Sequence, residues 1–145
     1  MVILNRYYKE IVLSIFLVSF FMFSGCQHNK TAESYFNSGN LYLRLEDNRE
    51  AINDYDRAIE LDPKYASAYN NRGIAYARLG DSRQAIKEFD KSIELSPRVP
   101  EAYYNRAIIY GRLGDEQQAI DNYKKAARLG HRGAQEFLKS KGISW

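Results

Sequence analysis

The chain has 145 residues, with 21 Lys and Arg against 18 Asp and Glu, and the formal charge of +3 excludes the basic bias of a nucleic-acid binder. One Cys and two His exclude a disulfide framework and a Cys/His metal cluster. The length suits one domain.

In chain order, Arg6 and Lys9 precede an apolar run from Ile11 to Phe23, which Ser24, Gly25 and Cys26 follow. A positive start, an apolar stretch of this length and small residues at its end read as a secretory signal, and the run is short for a membrane span. Small residues before a Cys resemble a bacterial lipoprotein signal, with Phe23 where Leu is usual. That resemblance implies removal of residues 1–25 and acylation of Cys26, where two or more acyl chains hold stably and one only marginally. The alternative, an ordinary secreted protein, leaves the lone thiol without a partner. Residues 26–31 then form a short tether to lipid. Gln27 is not the Asp that marks retention at the inner membrane, so the expected location is the bacterial cell envelope, at the outer membrane facing the periplasm. In a host with a single membrane it would be the outer face of the plasma membrane.

From residue 32 the chain repeats itself every 34 residues, with Tyr35, Tyr69 and Tyr103, then Arg44, Arg78 and Arg112, then Ala51, Ala85 and Ala119 in register. Tyr35, Gly39 and Tyr42 fall at i, i+4 and i+7, as do Tyr69, Gly73, Tyr76 and Tyr103, Ala107, Tyr110. Each set draws one stripe down a first helix, and its small member admits close approach of a partner. Second helices carry Ala51, Tyr55, Ala58, then Ala85, Phe89, Ser92, then Ala119, Tyr123, Ala126. Gly80-Asp81 and Gly114-Asp115 mark turns, Gly closing one helix and Asp capping the next, whereas Glu46 takes the Gly position in the first repeat and makes that turn less secure. Pro63 and Pro97 stop second helices, Pro100 suits a first helical turn, and His131 stands at the third Pro position. A short last helix ends at Gly142, its Ala134, Phe137 and Leu138 forming a lid with Ile143 and Trp145 as extra cover. The same helix also reads as a truncated fourth repeat awaiting a partner.

This pattern resembles the tetratricopeptide repeat family. The resemblance implies an all-α, right-handed α-solenoid of three helix-turn-helix repeats at 32–65, 66–99 and 100–133, with a capping helix and tail at 134–145. It also implies that first helices line a concave groove for a peptide segment or helix of a protein partner. Carried onto that face, the partner-binding candidates are Asn37, Asn40, Arg44, Asn70, Asn71, Arg78, Tyr104, Asn105 and Arg112. Asparagines offer donors and acceptors to a main chain, and arginines offer forks to carboxylates. Each row has a second reading, since Asn can bond within the scaffold and Arg at a helix end suits the dipole. The subfamily that clamps a chaperone C-terminus matches at Asn40 and Asn71 but fails at Phe36, Glu101 and Asn105, which replace required cations, so a chaperone role is not expected. No nucleophile stands beside a base and no glycine-rich phosphate loop follows a strand, so no catalytic residue, cofactor, metal, nucleic acid or small-molecule substrate is expected. The expectation is a non-enzymatic, lipid-anchored adaptor in the envelope. The alternative is an accessory factor that binds cell-wall glycan or stimulates a peptidoglycan enzyme.

Overall fold

The computed structural model describes residues 30–145. The expected signal at 1–25, Cys26 and most of the expected tether lie outside the described residues. Among those described there are seven helices and no strand: α1 Ala32–Arg44, α2 Asn48–Leu61, α3 Ala66–Arg78, α4 Ser82–Leu95, α5 Pro100–Arg112, α6 Glu116–Arg128 and α7 Arg132–Ser140. None is long and apolar enough to cross a membrane. The helices pair as hairpins, α1 with α2, α3 with α4, α5 with α6, and each hairpin packs its second helix on the first helix of the next. First helices also touch one another, α1 with α3 and α3 with α5, so they form a continuous inner layer.

The apolar stripes are the core. Ala51, Tyr55, Ala58, Ala85, Phe89, Ser92, Ala119, Tyr123 and Ala126 are all buried on the second helices. A Cβ at Gly39 would stand 2.7 Å from Tyr55 Cε1, and one at Gly73 2.7 Å from Phe89 Cε1, so the ring of each second helix occupies the place a side chain would take. Ala68 and Ala102, fully buried, extend the same close approach to the next repeat. Tyr69 and Tyr103 each donate their hydroxyl to the carbonyl of the proline six residues back, Pro63 and Pro97, at 3.3 and 3.2 Å, tying each first helix to the end of the preceding repeat.

The turn inside each hairpin is one device used three times. The Asp47, Asp81 and Asp115 N–H groups donate to the carbonyls of Tyr42, Tyr76 and Tyr110. Their side chains accept from Glu50, Gln84 and Gln118, so each Asp closes one helix and opens the next. The residue before each Asp has positive φ, 87° at Gly80, 81° at Gly114 and 63° at Glu46. The first turn, which Glu46 made doubtful, has the same form as the others.

The end of the third repeat departs from the period. Gly130, at φ 94°, closes α6, and His131 caps α7 by accepting from the Ala134 N–H through Nδ1 at 3.2 Å. Without a proline to spell a longer connection, α7 starts at Arg132, ahead of the 134–145 segment read from the sequence. Ala134 and Leu138 are fully buried against α6, and Phe137 packs on Tyr123 at 4.2 Å between ring centroids. Trp145 is 43% exposed, which corrects the expectation that it adds cover.

Candidate partner-binding groove

The inner layer places the nine sequence candidates in three groups. The first is a chain of amides across α1, α3 and α5: Asn105 Nδ2 donates to Asn70 Oδ1 (3.0 Å), Asn70 Nδ2 to Asn71 Oδ1 (2.9 Å), and Asn71 Nδ2 to Asn40 Oδ1 (2.7 Å). The Tyr55 hydroxyl donates to the same Asn40 oxygen at 2.8 Å. Burial pushes the Tyr55 hydroxyl up to about 12, so it stays a donor. These four asparagines therefore fix the spacing of three first helices. Asn70 is buried, its face turned into the scaffold, while Asn40, Asn71 and Asn105 remain half-buried with unused polar capacity.

The arginine row divides. Arg78 Nη1 donates to the Leu43 carbonyl at 2.6 Å, which also accepts from the Glu46 N–H at 3.4 Å, so the end of α3 is tied to the end of α1. Arg44 and Arg112 are exposed and form no ion pair or side-chain hydrogen bond among the described residues. Asn37 is exposed beside them. Tyr104 closes the far end of the layer, its ring stacked on His131 at 4.0 Å and edge-on to Tyr123 at 5.7 Å. Phe36, at the corresponding position of the first repeat, packs on Tyr65 at 4.8 Å between ring centroids with the rings tilted by 35°.

Sequence reasoning missed a second polar system. Arg72 donates through Nε and Nη2 to Glu88 Oε2 at 2.9 and 2.6 Å and through Nη1 to Asp56, joining α2, α3 and α4. Arg106 repeats the motif one period on, with Asn122 (2.9 Å) and Asp90. The two carboxylates hold the Arg72 guanidinium above its ordinary range although burial opposes its charge. The first repeat breaks the pattern. Ser38 stands at the Arg position, and Asp54 Oδ2, at the Glu88 position, is buried without a hydrogen-bond partner. The signal was the common 34-residue offset of Asp56 with Asp90 and of Arg72 with Arg106.

Among the described residues no cluster of His, Cys, Asp or Glu could hold a metal ion. Asp47, Asp81 and Asp115 at the helix starts act as caps, and the inner layer presents amides, guanidinium groups and apolar surface.

Comparison with known proteins agrees with this geometry. A family model described as TPR repeat matches residues 39–80, and one described as tetratricopeptide repeat matches residues 64–130. No curated protein sequence gives a significant match. Among solved structures, MamA is 29% identical over 73% of this chain with a TM-score of 0.66. The chain spans 62% of the MamA chain, less than two thirds of its length. The second TPR of Spaghetti (RPAP3), solved with the HSP90 peptide SRMEEVD, is 25% identical over 71% of this chain and 95% of its own, with a TM-score of 0.66. The Arabidopsis OM64 TPR domain, 23% identical over 77% of this chain and 97% of its own, shares the fold with a TM-score of 0.70.

Proposed function

We propose, for a chain that belongs to the tetratricopeptide repeat family across residues 39–130, a non-enzymatic role as a lipid-anchored adaptor of the bacterial cell envelope that holds a segment of a protein partner on its inner layer. The observation that carries this reading is the continuous layer of α1, α3 and α5, kept in register by the asparagine chain, with Asn37, Arg44 and Arg112 exposed on it. A structurally similar domain, the second TPR of RPAP3, is known with a bound peptide. The partner here differs in chemistry from that peptide, because Phe36, Glu101 and Asn105 replace cations the chaperone clamp requires. Glycan binding draws less support, since Tyr55, Tyr103 and Tyr123 are buried and Phe36 and Tyr104 pack on neighbouring rings.

The anchor is Cys26, following the small residues Ser24 and Gly25. Intact mass of the membrane-extracted protein should show loss of residues 1–25 plus lipid, and Cys26→Ala should leave an unlipidated precursor; a normally cleaved soluble product in that mutant would contradict the anchor. Replacing Arg44 and Arg112 with Ser should weaken capture of an acidic partner at low salt, with a change in stability within about 0.5 kcal/mol because both side chains are exposed and unpaired. Undiminished capture by the double variant would remove the arginines from the binding surface.

A further inference from the structure

Between hairpins, the same receiving surface recurs at the 34-residue offset. At the first junction Leu43, Ala51 and Tyr55 form one cluster with Ala75 of the next hairpin, which is fully buried. At the second, Ala85 and Phe89, with Ala77 and Ile86 beside them, form a cluster with Ile109, 2% exposed. Size is complementary at these register positions: large Leu43 shares the first cluster with small Ala75, and small Ala77 lies against the second cluster with large Ile109. At the third junction small again faces large in the register, and the large residue packs on the third cluster from outside a helix. The receiving residue is Gly111, and the residue in register with Ile109 is Ile143, beyond the end of α7 at Ser140.

A cavity of about 430 Å³ results, walled by Ile108, Ile120, Tyr123, Phe137 and Ile143. Neither backbone nor packing requires the glycine there. Gly111 is absent from the positive-φ residues, and a Cβ would meet only Ala119 Cβ at 3.9 Å, an ordinary contact. Gly111, next to the last residue of α5, leaves the space beside it open. The rim carries Arg112 and Lys141 with Glu116, and none of the three is ion-paired among the described residues. The two cations outnumber the one acid.

We infer that this third junction is a docking pocket for a pair of branched aliphatic side chains, Ile or Leu, carried by an acidic segment of a protein partner whose carboxylates face Arg112 and Lys141. This rests on the reading of the chain as a protein-binding scaffold and gives that scaffold a specific foothold. The chemistry is that of the filled junctions, with the partner's side chains packed beside Ile143, and the cations select the flanks.

The test uses the protein from residue 26 onward and synthetic helical peptides bearing an Ile pair at i and i+4 on an Ala- and Gln-based frame, flanked by Glu in one series and by Lys in the other. Methyl resonances of Ile108, Ile120 and Ile143 report occupancy. The Glu series should shift them and the Lys series should not. Gly111→Leu, which restores the Leu43 side chain of the first junction, should weaken binding by roughly tenfold or more while the melting temperature holds or rises. Charge reversal at Arg112 and Lys141 should invert the preference between series. Equal binding by Gly111→Leu, no methyl shift with either series, or shifts that arise from concentrating the protein alone, which would put a second copy in the pocket, would each overturn the proposal. Capture of the native partner by Gly111→Leu at wild-type level would likewise overturn the pocket and leave the scaffold reading standing, whereas wild-type protein that captures nothing yet binds the Glu series would do the reverse.

Discussion

Arg72 is the residue on which three helices converge. Its partner Glu88 is 5% exposed, and a buried carboxylate left without its cation is costly. Arg72→Met should therefore lower stability by about 3 kcal/mol, and adding Glu88→Gln should recover part of the loss, because the amide carries no charge and Gln84 Nε2 still reaches the position it donates to at 2.8 Å. Thermal melts of the single and double variants check this; a single variant as stable as wild type would make the network a surface feature. That network was hard to read from sequence. Arg72 stands 16 residues from both Asp56 and Glu88, so no helical periodicity joins them, and a charged residue on an amphipathic helix ordinarily faces water. The buried aromatic and alanine positions were legible because they recur at helical spacing and at the repeat offset together. Asn70 was misplaced on the open face for a related reason: position in the repeat fixes the helix face, and only packing of α3 between its neighbours decides which amide on that face is covered.

At the scale of the element, the hairpin turns show how tertiary structure outweighs local preference. Glu46 holds φ 63°, a conformation that costs an L-residue about 1–2 kcal/mol, yet the turn keeps the hydrogen bonds of its glycine counterparts. Close packing of α1 on α2, with Tyr55 seated against Gly39, supplies the constraint that local sequence lacks. Glu46→Gly should then raise stability by about 1 kcal/mol, reduced by the greater freedom of Gly in the unfolded chain. A denaturant titration measures it, and an unchanged or lower midpoint would mean that the Glu46 side chain does more than occupy a turn. The last helix was legible in existence and in two of its buried residues, Ala134 and Leu138. Its start was not, because loss of the proline at His131 and the cap that His131 itself supplies are settled by one imidazole orientation.

For the whole molecule, stability is a sum over neighbouring interfaces, so the terminal element has an outsized role. Deleting residues 132–145 uncovers Tyr123, Ala126 and Ala127 and removes Leu138, whose full burial contributes roughly 1.5–3 kcal/mol. The truncated protein should melt lower or self-associate, whereas an unchanged monomer would make α7 a free tail. The architecture was legible because a period is a global signal, carried by many positions at once. The candidate surface was legible only as a face, since amides that face a ligand and amides that bind one another have the same residue type and spacing.

The central claim is that the layer of α1, α3 and α5 holds a protein partner. Site-specific photo-crosslinkers placed in the native envelope at Asn37 and at Arg112, both exposed on that layer, test it against one placed at Glu60, exposed on α2. The account predicts that the two inner positions label one and the same protein and that Glu60 does not. Labelling of that protein from Glu60 alone, or of no protein from the inner positions, would contradict it.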